Sequence, residues 1–282
     1  MFAFFANTFG YLLNFIYELV NNYGLAIILF SIIVKIVLLP ISIKQQKSME
    51  KSAKLQGKLR EIQFKYKNNP EMMNKETIEL YKREKTSPFS GCLSSIVQMI
   101  LLLSVFFLVQ SPLTYMRKID TTVIEGYKTQ IMSQEENKSN VRYPEIKIIQ
   151  DYGNDDERVH MNMEFLGLDL SLVPISSLND YRVFVIPVLY VISSFISMKI
   201  STNMTKKKKK ESEEGQTDKQ AEAMEEASKN MMYIMPVMAV SISLIAPLGL
   251  ALYWLVNNLL MILERVLISK FLKTEGEENA EG

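Results

Sequence analysis

Apolar and polar positions along this chain are gathered into blocks rather than mixed. A bilayer core of about 30 Å takes roughly 20 apolar residues to cross as a helix. Gly24 to Ile43 is such a block, interrupted only by Lys35, and Leu93 to Ser111 is a second with no charge. Val183 to Met198 is a 16-residue block followed by Lys199, whose long stem lets its ammonium reach the headgroups. Met231 to Leu263 runs 33 residues without a charge, too long for one span and short for two. Ala246-Pro247-Leu248-Gly249 breaks that run with turn chemistry. The pattern therefore predicts a helical hairpin, 231–246 then 248–268, whose first limb tilts or thins the bilayer. Transmembrane helices are expected at 24–43, 93–111, 183–198, 231–246 and 248–268.

Two amphipathic stretches accompany the spans. In residues 1–23, Phe9, Leu12, Leu13, Ile16, Leu19, Val20 and Tyr23 share one helical face, and Asn7, Asn14, Glu18 and Asn21 share the other. No basic n-region or small-residue cleavage site marks it as a signal peptide. An amphipathic helix lying in the membrane interface fits best; an extra, weakly marked span is the alternative. Within residues 44–92, Leu55, Leu59, Ile62 and Tyr66 recur at helical spacing. Asn68-Asn69-Pro70 then breaks the pattern, and Met73, Thr77, Leu80 and Tyr81 resume it. This reads as a cytoplasmic helical hairpin with a basic outer face. It suits docking to ribosomal RNA, lipid headgroups or an emerging chain. A solvated face that merely fixes topology suits the same residues.

Composition excludes several chemistries. The chain has 282 residues, 48% hydrophobic, and its 32 Lys+Arg and 31 Asp+Glu nearly cancel. With one cysteine, Cys92, and one histidine, His160, neither a disulfide framework nor a Cys/His metal site is expected. Gly57-Lys58 has Ser52 where a phosphate-binding loop needs its first glycine. No cofactor, no catalytic residue and no DNA partner is expected.

Charge instead sets orientation. Residues 44–92 carry 12 Lys+Arg and residues 199–230 carry 8, including Lys206 to Lys210; the tail from Glu264 carries 3. That run of lysines suits topology and contact with anionic lipid. Residues 112–182 also carry 8, but with 12 Asp+Glu and over a length that weighs little in the positive-inside rule. The amino terminus and the 112–182 loop are expected outside, the basic loop 199–230 and the 269–282 tail inside.

Polar residues within the spans share a depth. Ser31, Lys35 and Ser42 form a stripe on the first span, with Lys35 roughly 17 Å in at 1.5 Å per residue. Asn257 and Asn258 reach nearly that depth on the last span, with Trp254 one turn nearer the outside. Ser94, Ser95 and Gln98, and Ser193, Ser194 and Ser197, occupy cytoplasmic halves. The outer halves are Leu, Ile, Val and Phe, with Ser241 and Ser243 as exceptions. This predicts a cavity closed outside and open to the cytoplasm, although Ser and Asn between helices also serve as packing contacts. A mid-bilayer Lys costs ~2.5–3.5 kcal/mol on insertion scales. The only carboxylate available in the spans, Glu264, sits near the cytoplasmic edge. Lys35 is therefore expected to stand unpaired in the cavity.

The ordered set of residues resembles the YidC/Oxa-type membrane protein insertases. It begins at Tyr23-Gly24-Leu25-Ala26-Ile27-Ile28 and runs through Lys35, Leu38-Leu39-Pro40, Gln45 to Met49 and Leu55-Gln56. Leu80-Tyr81-Lys82, Gly91-Cys92, Gln98 and Phe165 to Leu170 continue it, and Met235-Pro236 and Gly249 to Asn258 close it. The resemblance implies an all-α membrane protein, five transmembrane helices around a cytoplasm-open hydrophilic groove, with an amphipathic amino-terminal helix and a mobile cytoplasmic hairpin. It places Lys35 at the family's basic groove position, Ser31 one turn before it, and Trp254 at an aromatic position facing substrate. Lys replaces the usual Arg, the 87–94 loop lacks a second Gly and a second Pro, Gln98-Met99-Ile100 lacks a Pro, and 119–160 is an insertion. A specialised paralogue in a bacterial plasma membrane fits these departures.

The function so implied is insertion of nascent membrane proteins, with membrane lipids, the ribosome and the Sec translocon as further partners. A small transporter using Lys35 as a gating charge, or a ribosome or lipid tether, are the alternatives. The transporter predicts polar residues on both sides of the midplane and an inverted repeat, and neither is visible.

Overall fold

The computed structural model describes residues 2–84, 90–134, 142–210, 238 and 241–281. Among the described residues, nine α-helices are labelled in chain order. They are α1 (Phe2–Val20), α2 (Tyr23–Lys65), α3 (Pro70–Arg83), α4 (Ser90–Gln110), α5 (Pro112–Tyr115), α6 (Thr121–Gln134), α7 (Pro144–Tyr152), α8 (Val185–Lys210) and α9 (Leu248–Glu281). Among the described residues, three stretches are long and apolar enough to cross a membrane: Tyr23–Ser48, Tyr181–Ile200 and Leu248–Ile268. Met99–Gln110 in α4 is a shorter apolar stretch. The span expected at 231–246 falls largely outside the described residues, as do 211–230 of the basic loop.

The helix α2 does not stop where its apolar block stops. It continues unbroken for 43 residues, with Pro40 inside it, into the basic arm. Proline removes one backbone donor without ending the helix, because the flanking turns keep their own bonds.

The chain forms two compact units. The first comprises Met1–Ile36, Met99–Ser194 and Met238–Arg265; the second comprises Val37–Gln98, Phe195–Val237 and Val266–Gly282. In the second unit, Asn69 caps α3: its side-chain oxygen accepts from the Met72 amide at 3.1 Å, and Pro70 takes the first helical position. Leu55 and Leu80 are buried, while Leu59, Ile62, Tyr66 and Tyr81 are half-buried. Lys58 and Glu84 pair at 2.7 Å, and that donor holds the Glu84 carboxyl below its ordinary range.

In the first unit, α1 packs closely on α5. A Cβ at Gly10 would lie 1.8 Å from the Tyr115 carbonyl oxygen, so only glycine permits this approach. Leu13, Ile16 and Tyr17 are buried, and Phe9, Leu12 and Val20 pack at the edge of the same core. Leu19, expected on that face, points outward with Phe4, Tyr11 and Phe15. The helix thus has a second apolar stripe, which a two-faced reading of the sequence merged with the first. Its polar side is held by the chain after α5. Arg117 contacts Glu18, and Lys118 donates to Asn7 at 2.5 Å.

Where it is described, the segment expected as a loop, 112–182, forms helices and one short hairpin, and it departs from an all-α fold. An antiparallel hairpin pairs β1 (Glu164–Phe165) with β2 (Leu168–Asp169). Its turn residues Leu166 and Gly167 have φ of 53° and 76°, as a two-residue turn of this hand requires. Glu145 on α7 is buried and accepts from the Thr114 amide at 2.9 Å and the Thr114 hydroxyl at 2.6 Å. Burial pushes its carboxyl pKa up, and the two Thr114 donors pull it partly back. Glu145→Ala leaves that amide without its acceptor and is expected to cost about 2 kcal/mol of stability. Thermal unfolding in detergent, with tryptic digestion of this region, reads the loss; an unchanged midpoint would contradict it.

Candidate functional site

The first four amides of a helix have no partner within the helix. One of those donors in α2 and two in α9 are taken by a single stretch of chain, 162–172. The Tyr23 amide donates to the Asn162 carbonyl at 3.0 Å. The Leu248 and Gly249 amides donate to the carbonyls of Leu172 and Leu170, both at 2.9 Å. Asn22 caps α2 through the Leu25 amide at 2.9 Å, and its own side-chain amide donates to the Glu164 carbonyl at 2.6 Å. The Phe165 ring lies where a Cβ on Gly24 would be, which explains a glycine there. The amino-terminal ends of two membrane helices are therefore closed by main chain. No sequence signal announced this closure, because carbonyl acceptors carry no side-chain identity.

The same contact sets the helices' relative depth. Tyr23 and Gly249 touch, with the Tyr23 ring 3.2 Å from a Cβ built on Gly249. Counting from that level, Lys35 lies roughly 18 Å down α2 and Glu264 roughly 22 Å down α9, at 1.5 Å per residue. The side chains bridge the difference. Lys35 Nζ and Glu264 Oε2 meet at 2.7 Å, with the side chains 20% and 13% exposed. The expectation that Lys35 is unpaired is corrected by this contact. Glu264 is too shallow only if both helices start at one residue level and side-chain length is ignored.

The remaining candidate residues divide by burial. Ser31 is buried and donates to the Ile27 carbonyl of its own helix at 2.7 Å. Asn258 is buried and donates to the Ser193 and Ser194 hydroxyls at 2.9 and 3.3 Å, tying α9 to α8. Asn257 is half-buried. Trp254 is 9% exposed, beside the Tyr190 ring at 6.1 Å between centroids. Its indole N–H has no partner among the described residues, nor does Glu264 Oε1. The Gln98 side chain lies outside what is described. Lys35 and Asn257 are the half-buried candidates, and Glu264 joins them as the residue that sequence reasoning set aside.

Long apolar helices with a charged pair far from their amino-terminal ends define a polytopic helical membrane protein. The chain belongs to the family described as the 60Kd inner membrane protein, whose model matches residues 15–275. It is similar to the membrane protein insertase YidC of Fusobacterium nucleatum subsp. nucleatum, 28% identical over 261 residues and 93% of each chain. It is also similar to the membrane protein insertase YidC of Geobacter metallireducens, 30% identical over 269 residues. That alignment covers 95% of this chain and 37% of the Geobacter protein. A Treponema denticola protein of the same description is 25% identical over 264 residues, 93% of this chain and 37% of its own.

Proposed function

We propose that this protein is a membrane protein insertase. Short polar segments of nascent membrane proteins enter a hydrophilic groove open to the cytoplasm, and their apolar helices leave sideways into lipid. Five spans surround the groove, with 93–111 and 231–246 joining the three apolar stretches described above. The amino terminus and the 112–182 region lie outside a bacterial plasma membrane and the carboxyl tail lies in the cytoplasm.

The observation that carries this reading is an asymmetry within one compact unit. Main chain from 162–172 covers the amino-terminal ends of α2 and α9. The Lys35–Glu264 pair lies far down the same two helices and stays partly accessible. A passage closed at one end and charged near its middle suits a segment that enters from the other end. It does not suit solute flux, which needs polar lining throughout.

Physically, the groove hydrates the segment to mid-depth and shortens its dry path. Transfer of the substrate's helix into lipid then yields about 0.8 kcal/mol per buried CH2. The open stripe of α1, Phe4, Tyr11, Phe15 and Leu19, suits contact with the membrane interface. The basic hairpin, with Leu55, Leu59, Ile62, Tyr66 and Tyr81 on its inner side, suits docking of a ribosome, and the Sec translocon is a further partner. Purified protein in liposomes tests the reading. Protease-protected insertion of a single-span substrate supports it. Solute flux without insertion, or ribosome and lipid binding alone, overturns it.

A further inference from the structure

We propose that the stretch 166–181 is a lipid-binding collar. Leu166, Ile175, Leu178 and Tyr181 enter the headgroup region of the leaflet on that side and hold the closed end of the helices at the bilayer surface. This goes beyond the insertase reading and rests only on the three apolar stretches spanning a membrane. Each of them begins against this part of the chain. The Tyr23 amide meets the Asn162 carbonyl, and the Leu248 and Gly249 amides meet the carbonyls of Leu172 and Leu170. The third apolar stretch starts at Tyr181 itself. Residues 173–180 therefore run from the start of one membrane helix to the start of another, at the level where hydrocarbon gives way to water.

The residue types at this level do not suit a surface in water. Leu166 has φ of 53° in a two-residue turn completed by Gly167 at 76°. Asn-Gly adopts that conformation readily, whereas a leucine adopts it at a cost. The Leu166 side chain is 87% exposed, so burial within the protein does not offset that cost. Ile175, Leu178 and Tyr181 are 57%, 67% and 80% exposed. Arg182 Nη1 donates to the Gly167 carbonyl at 3.4 Å, which holds the hairpin tip beside the start of the third apolar stretch. Free charge is kept back. Leu170 to Asn179 contains none, and Glu164 and Asp169 pair at the end of the hairpin away from Leu166. Asp180 accepts from Arg182 Nε and Nη2, both at 2.9 Å. The exposed apolar surface continues along α8 as Val185, Val188 and Leu189, inside the membrane stretch. Aliphatic side chains with a tyrosine at the end of a span are what a headgroup region takes up.

The test uses the full chain in vesicles of phosphatidylethanolamine and phosphatidylglycerol. Cys92→Ser removes the native thiol, and Leu166→Cys, Leu178→Cys or Glu157→Cys carries an environment-sensitive fluorophore. Glu157 is an exposed position of the same region and serves as the control in water. Lipids bearing a nitroxide near the headgroup are expected to quench the label at 166 and 178 about threefold more than at 157, with aqueous iodide giving the reverse order. Equal iodide quenching at all three positions overturns the proposal. So does weak quenching by both agents at 166 and 178, which marks a cover of protein, such as a second copy of this chain. If Cys92→Ser does not fold, the labels are read in the native background after subtracting the signal of the labelled unmodified chain. Leu166→Asn separates lipid contact from packing, since asparagine tolerates this φ. Its unfolding midpoint in detergent is expected to stay level or rise, and a clear fall marks a structural leucine and overturns the proposal. No substrate enters the measurement, so failure here leaves the insertase reading standing, and failure of insertion leaves the collar standing.

Discussion

Lys35→Glu is expected to cut insertion of an acidic-tailed substrate about a hundredfold, some 2.8 kcal/mol at 1.4 kcal/mol per decade. The pair at 2.7 Å becomes two carboxylates facing one another. One must take a proton or swing away, since like charges at that distance do not both stay ionised. The acidic tail loses its attractor and meets added negative charge. Removing one partner of a buried pair costs ~3–5 kcal/mol, and partial exposure of this pair argues for the lower side of that range. Insertion is read as the protease-protected fraction across a substrate series of increasing tail charge. Wild-type insertion of acidic tails by this variant would remove electrostatics from the mechanism.

Gly10→Ala is expected to have the largest effect on the first compact unit, about 3 kcal/mol of destabilisation, at the upper end of what overpacking costs. The added Cβ would sit 1.8 Å from the Tyr115 oxygen and 2.6 Å from its carbonyl carbon. Backbone atoms cannot rotate aside as a side chain does, so α1 must retreat. Retreat uncovers Leu13, Ile16 and Tyr17 and breaks the bond from the Asn162 amide to the Tyr17 hydroxyl at 2.8 Å. Gly57→Ala is the matched control, since nothing lies within 4 Å of a Cβ there. In a helix it should gain up to about 1 kcal/mol. Thermal unfolding in one detergent compares the two, and equal midpoints would sink the packing argument.

Patterns that depend on one helix were legible in the chain. Apolar blocks announced the spans found in α2, α8 and α9, because burial in lipid acts on each segment by itself. The Asn69-Pro70 break announced the start of α3, because a cap and a fixed φ are local. The polar residues at mid-depth were also visible, but not their uses. Ser31 turns back onto its own helix, and Asn258 is spent on Ser193 and Ser194. From one sequence, a hydroxyl that satisfies backbone and one that meets substrate look alike.

What the chain determined alone was thus the membrane-helix character, the charge segregation and the presence of a lysine deep in the first span. Tertiary structure decided the partner of that lysine, because the vertical offset between α2 and α9 is set where Tyr23 meets Gly249 and the 162–172 carbonyls take up both helix ends. Tertiary structure also decided which stripe of α1 is covered, since two apolar stripes of similar strength compete and only the close approach at Gly10 selects one. Both outcomes rest on contacts between residues distant in sequence, where backbone shape rather than side-chain type makes the choice.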